Sequence, residues 1–190
     1  MSMSKLGFLC LLAFTSFCLV PGLCLAEPTP RLGELMSQEE IAFWDRSITP
    51  DGTNLPPGSG SVKEGEAVYL AKCAACHGED GRGQAPMVAL AGGQGSLTTA
   101  KPIKTVGSYW PYATTLFDYI RRAMPFGQQK SLTDDEVYAV TAYVLYINAL
   151  LANQSTLKKD VLQTLEMPNK EGFVESSLLR NSSQHRFTAH

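Results

Sequence analysis

The sequence predicts a small all-α domain, and three observations support this prediction. Two stretches open with the pattern of a helix capping box, at Ser61 and at Thr133, and apolar residues at helical spacing follow each of them. A further helix is expected over 113–122, after an aromatic, proline-containing turn. The composition is that of a folded domain, because 44% of the residues are apolar and 18% are charged.

Residues 1–26 are not expected to belong to that domain. Lys5 precedes an apolar run over 6–20, Pro21 interrupts the run, and Ala26 offers a small residue for cleavage. This is the pattern of a secretory signal peptide, and it predicts export to the periplasm. The alternative is an uncleaved membrane anchor. A span needs about 20 apolar residues, so no stable membrane insertion is expected.

Residues 27–60 are predicted to form an N-terminal arm and linker. Ser37 and Glu40 have the capping-box spacing of a short helix, and the run Pro56-Pro57-Gly58-Ser59-Gly60 has the composition of a linker. The domain itself is predicted at 61–152. Residues 153–190 are expected to be a partly disordered tail, in which 167–174 is the only ordered-looking piece.

The helix that begins at Ser61 runs directly into Cys73-Ala74-Ala75-Cys76-His77. C-x-x-C-H is the attachment signature of a c-type haem, in which both thiols form thioethers and the histidine binds iron. Three of the five cysteines lie within residues 1–26, so Cys73 and Cys76 would be the only two of the mature chain. We therefore predict one covalently bound haem c.

Two other kinds of site share parts of this pattern. A thioredoxin-like dithiol also uses C-x-x-C, but it expects a βαβ setting and gives His77 no role. A zinc site would need further ligands, and the other histidines are His185 and His190 at the extreme C-terminus. The formal net charge of −2 gives no indication of nucleic-acid binding.

Three residues beyond the motif are candidates for the haem environment. Pro86 lies in the glycine-rich segment after His77 and is predicted to turn the chain, so that a backbone carbonyl accepts from His77 Nδ1. Tyr109 and Trp110 each carry a polar hydrogen that suits a haem propionate. For these two aromatic residues the alternative is an ordinary place in the core.

Met124 is the predicted second axial ligand. It follows the helix over 113–122, and Pro125 prevents that helix from continuing, which frees the thioether to reach a pocket. Met167 also precedes a proline and is the main alternative, whereas Met87 follows His77 too closely. Any of these methionines could instead fill the core.

The helices are expected to pack through specific apolar stripes. The first uses Val62, Tyr69 and Leu70, and the second uses Leu116, Tyr119 and Ile120. The last strong helix is expected over 134–151, where Val137, Val140, Thr141, Val144 and Leu145 form one face with Tyr138, Ala142 and Tyr146 beside it. Glycine inside a helix costs about 1 kcal/mol, so Gly65 suggests a close crossing, with Ala142 as its expected neighbour.

With Cys73–His77 and Met124 in place, the sequence resembles class I mono-haem cytochromes c. The resemblance covers roughly residues 35–175. Its most specific motifs are the run over 104–126 and Met167-Pro168-Asn169. These motifs look like the short form of the cytochrome subunit of periplasmic sulfite or sulfane dehydrogenases. The resemblance implies a class I cytochrome c fold wrapped around one haem, with His77 and Met124 as axial ligands.

The resemblance also implies a role. A partner subunit with a molybdenum cofactor would oxidise a sulfur compound, and this chain would pass the electrons to another cytochrome c. Catalysis is then expected in the partner and not in this chain. Two alternatives remain open, namely a free-standing soluble electron carrier without a dedicated enzyme, and a haem sensor or enzyme with an open iron position.

Overall fold

A computed structural model describes residues 33–173, apart from the side chains of Ala42 and Phe43. The predicted signal peptide and the end of the tail lie outside this range. Two compact units divide after Phe43. Helix α1 (Gln38–Trp44), of which all but Trp44 belongs to the first unit, starts with the predicted capping box, since Ser37 Oγ accepts from Glu40 N at 3.2 Å. Within 33–173, no helix is long and apolar enough to cross a bilayer.

The second unit is helical, as predicted, with one small sheet. After Trp44, its elements in chain order are β1 (Ser59–Ser61), α2 (Val62–Lys72), α3 (Ala74–His77), α4 (Ala113–Ala123), α5 (Asp134–Ile147), β2 (Thr156–Lys158) and α6 (Lys159–Thr164). Short 3-10 turns lie at Ser96–Thr98 and Lys170–Gly172. Both predicted capping boxes of this unit are formed, at Ser61 and at Thr133.

Helix α5 is the centre of the core, because every residue from 137 to 145 is buried. Helix α2 crosses it at Gly65, where a Cβ would overlap the Ala139 carbonyl oxygen and lie 2.9 Å from Tyr143 Cβ. The predicted close crossing is therefore confirmed. The α5 residues at the crossing are Ala139 and Tyr143 and not Ala142, because positions four apart share one helix face.

Three residues of the predicted apolar stripes do not face the core. Leu70 and Tyr119 are each 49% exposed, and Tyr146 is 36% exposed. In α2, Leu70 is rotated by about 100° from the buried Tyr69, which places it off the core face. In α4, the fully buried Phe117 takes the inner position that the sequence predicts for Tyr119.

Helix α5 ends at Ile147 and not at 151. The Asn148 side chain donates to the Val144 carbonyl oxygen at 2.8 Å, and Ala149 has a φ of 59°, outside the helical region. The chain therefore turns away immediately after Asn148.

The beginning of the C-terminal tail is ordered, contrary to the expectation that 167–174 would be its only ordered piece. Strand β2 pairs antiparallel with β1, and Gly60 lies opposite Leu157. Leu157 and Leu162 are buried in the core. A Cβ on Gly60 would overlap the Ala139 backbone, so β1 lies directly against α5.

Candidate haem site

Helix α2 places the C-x-x-C-H motif at its C-terminal end. Cys73 leaves helical geometry, with φ −124° and ψ −38°, and its carbonyl oxygen accepts from Cys76 N at 3.1 Å and from His77 N at 3.0 Å. The motif therefore forms a single turn. Positions three and four apart on such a turn face the same side, so both thiols and the imidazole can reach the same bound molecule.

Both cysteines are free thiols in different environments. Cys73 is half-buried against the core, whereas Cys76 is exposed. Burial is the main cause that raises the pKa of the Cys73 thiol to about 11, while Lys72 opposes the shift and Cys76 adds to it. The Cys73 thiol is therefore protonated at neutral pH. Within the described residues, the only sheet is a two-stranded antiparallel pair, so the βαβ setting of a thioredoxin-like dithiol is not formed there.

His77 is oriented by the backbone of the following loop. Its Nδ1 lies 3.2 Å from the Val88 carbonyl oxygen, so Nδ1 donates and Nε2 keeps a lone pair for a metal. Gly83 N donates back to the His77 carbonyl oxygen at 2.7 Å. Gly83 has a φ of +82°, and a Cβ there would lie 2.8 Å from the Met87 carbonyl oxygen, so only glycine fits this turn.

Pro86 lies two residues before Val88, whose carbonyl is the acceptor. Nothing in the sequence marks Val88, because its contact with His77 uses a backbone atom that every residue has. Pro86 itself is exposed, and its contribution to the turn stays a prediction.

Tyr69 also contributes to the site, although the sequence predicts for it only a place in the core. Its hydroxyl donates to the Gly78 carbonyl oxygen at 2.8 Å, directly after His77, and burial raises the pKa of the phenol. Its ring lies 5.0 Å from that of Tyr143 on α5. Tyr69 thus ties the end of the motif to the core.

Met124 ends helix α4 in extended geometry, with φ −117° and ψ 152°. It is half-buried and packs against the same hydrophobic core as Cys73. Met36 and Met87 are 47% and 45% exposed, whereas Met167 is a core residue at 3%. Met124 therefore combines partial burial with a position outside regular structure. Its role as a ligand stays a prediction.

Polar contacts fix the helix that carries Met124. The buried Asp118 accepts from Ile48 N at 3.3 Å and pairs with Arg122. Thr114 Oγ1 donates to the Pro50 carbonyl oxygen at 3.0 Å. Residues near 48–50, which the sequence assigned to the N-terminal arm, therefore hold α4 in place.

Tyr109 and Trp110 lie just before α4 and are both half-buried. Lys104 Nζ is 4.8 Å from the centre of the Tyr109 ring, and Asn169 donates to the Tyr109 carbonyl oxygen at 2.8 Å. The Trp110 ring meets Tyr119 edge-on at 5.8 Å and packs on the core. Their predicted contact with a haem propionate stays a prediction.

This donor set fits a covalently attached haem. Two free thiols and an oriented imidazole lie in one turn, and a half-buried thioether packs on the same core. Among residues 33–173, no group of three or more His, Cys, Asp or Glu side chains could hold a metal ion. Two thiols that can form thioethers, one oriented imidazole and one thioether are the donors by which proteins hold a covalently attached haem.

Known proteins support this assignment. A cytochrome c family model matches residues 62–148. A chain in the crystal structure of the sulfane dehydrogenase SoxCD from Paracoccus pantotrophus has 41% sequence identity to this chain and a TM-score of 0.72. The match covers 85% of this chain and 79% of that chain.

Two thiosulfate dehydrogenases are also similar. The one from Stutzerimonas stutzeri is 29% identical over 115 residues, which are 54% of this chain and 36% of that protein. The one from Allochromatium vinosum is 34% identical over 86 residues, which are 43% of this chain and 29% of that protein. The matched region spans about a third of the length of these two relatives.

Proposed function

This chain belongs to the cytochrome c family, and we propose that it carries single electrons from a sulfur-oxidising dehydrogenase to a second cytochrome c. Haem c, covalently bound, is the cofactor of the family and supplies the one-electron redox chemistry. Cys73 and Cys76 would hold it through thioethers. His77 and Met124 would bind the iron.

One observation carries the electron-transfer role. Both motif cysteines lie in one turn with an imidazole whose Nδ1 donates to the Val88 carbonyl oxygen. The carbonyl fixes the ring tautomer, with the proton on Nδ1, and makes the histidine a better donor. Electron transfer at a haem edge needs orientation and burial and no catalytic base. The protein then contributes a rigid ligand and a core that excludes water.

The dehydrogenase partner is proposed from the similarity to SoxCD, a sulfane dehydrogenase that aligns over 79% of its chain. We propose a subunit with a molybdenum cofactor that oxidises sulfite or a sulfane group, with this chain as its electron acceptor. The proposed location is the periplasm, on the strength of the signal-peptide pattern in residues 1–26.

A second candidate is direct oxidation of thiosulfate by this chain, because two relatives are named thiosulfate dehydrogenases. An enzyme that binds its substrate at the iron would need an open iron position. Half-buried Met124, at the end of α4, favours the carrier role.

The test uses the full chain, matured in a host that attaches c-type haem. The oxidised protein is mixed with sulfite or thiosulfate, with and without the candidate molybdenum subunit, and haem reduction is followed by absorbance. The proposal expects rapid reduction only when both the subunit and its substrate are present. Reduction by thiosulfate alone would support the catalytic alternative. A protein without covalent haem would refute both.

A further inference from the structure

Asn148 is a buried polar residue that the haem motif does not include. It caps the C-terminus of α5 and is 2% exposed. Its side-chain amide donates to the Val144 carbonyl oxygen at 2.8 Å and to the Leu90 carbonyl oxygen at 3.0 Å. The second bond joins the central helix to the loop that follows His77.

The Leu90 end of this bond lies close to the haem ligand along the chain. Leu90 N donates to the Gly81 carbonyl oxygen at 2.7 Å, and the Leu90 carbonyl oxygen also accepts from Val106 N at 3.1 Å. Leu90 is therefore fixed from both sides. Two residues earlier, the Val88 carbonyl oxygen receives His77 Nδ1 at 3.2 Å.

Asn148 is itself held in position. Gln94 Nε2 donates to the Asn148 carbonyl oxygen at 3.2 Å. A Cβ on Gly107 would overlap Asn148 Oδ1, so the neighbouring turn leaves room for this amide only because residue 107 is glycine. A buried amide with both N–H groups satisfied is costly to disturb, because its partners would then be left unpaired.

We propose that Asn148 is a positioning residue for the haem ligand His77. Through Leu90 it holds the loop that presents the Val88 carbonyl to Nδ1, and it thereby sets the strength of that hydrogen bond. This inference rests on the proposed function, in which His77 binds the haem iron. A weaker bond at Nδ1 makes the imidazole a poorer electron donor, which stabilises the reduced iron and raises the reduction potential.

The test compares holoprotein carrying Asn148→Ala with the wild type. We expect a higher midpoint potential and faster solvent exchange of the His77 Nδ1 proton, measured by NMR on the reduced protein. Loss of the net contribution of one hydrogen bond at Nδ1 corresponds to about fivefold faster exchange. If Asn148→Ala yields no holoprotein, Asn148→Ser is measured instead, because serine leaves a smaller cavity and can donate only one bond.

Tyr138→Phe is the matched control. It also removes a buried side-chain donor from α5, but this donor bonds to the Pro56 carbonyl oxygen at 2.8 Å, on the N-terminal arm. The control should lose stability with an unchanged potential and unchanged Nδ1 exchange. If Asn148→Ala loses stability in the same way, without either change at His77, the inference is wrong while the carrier function stands. A wild-type protein that carries no haem would instead refute the proposed function.

Discussion

The close crossing of α2 and α5 can be tested by adding one methyl group at Gly65. In a Gly65→Ala variant, the new Cβ would overlap the Ala139 carbonyl oxygen and lie 2.5 Å from the Ala139 carbonyl carbon. These are backbone atoms, so no side-chain rotation can relieve the overlap. The two helices would have to move apart, and α2 carries the haem motif.

Two opposing terms set the size of the effect. Replacing glycine with alanine inside a helix gains about 1 kcal/mol of intrinsic stability. Overpacking a tight core contact costs about 1–3 kcal/mol and sometimes more. Because the obstacle here is backbone, we take the upper end of that cost and expect a net loss of about 2 kcal/mol. For a chain of this size, that corresponds to a melting temperature lower by about 4–8 °C.

The assay is thermal unfolding of the holoprotein, followed by circular dichroism and by haem absorbance. Ala67→Gly, on the exposed side of α2, is the control, and it should lose about 1 kcal/mol from helix propensity alone. If Gly65→Ala is instead more stable than the wild type by about 1 kcal/mol, propensity alone governs the site. The close crossing would then be refuted.

Further predictions concern the ligand, the core and pH. Met124→Ala should retain the haem and bind carbon monoxide in the ferrous state, whereas Met167→Leu should retain the haem without binding carbon monoxide. Carbon monoxide binding only to Met167→Leu would reverse the ligand assignment. Tyr69→Phe should lower the free energy of unfolding by about 1 kcal/mol, because the Gly78 carbonyl oxygen loses a buried donor; unchanged denaturation midpoints would contradict this. The Thr133 backbone N–H lowers the pKa of Glu136 below its usual value of 4.5. The stability that this gives is complete above that value and is lost as pH falls through the lower folded pKa. Glu136→Gln should therefore show a weaker loss of stability in acid than the wild type, and identical acid profiles would be the contrary result.

The sequence was a good guide wherever the cause of a structure is local. The capping boxes at Ser61 and Thr133 depend on residues three apart, and both formed. The haem motif is equally local, because its thiols and imidazole fall within one turn. Gly65 indicated a long-range contact only because glycine is unfavourable in a helix unless something crosses it closely.

Other features could not be predicted from the sequence, for physical reasons. Strands of three residues, such as Thr156–Lys158, are too short to show an alternating pattern. The Val88 carbonyl is a backbone group, so no residue type marks its contact with His77. The bond from Asn148 to the Leu90 carbonyl oxygen joins residues 58 positions apart, and only the folded chain brings those groups together.

The pairing of β1 with β2 has a consequence for how this fold can be reused. Ser61 lies opposite Thr156, so the stretch between them begins and ends on adjacent strands, about 5 Å apart. Moved to another protein, the stretch would have to bring residues 48–60 and 157–167 with it, because Ile48, Leu157 and Leu162 complete its core. The smallest unit that could carry the haem-attaching residues is therefore larger than the stretch that the two strands enclose.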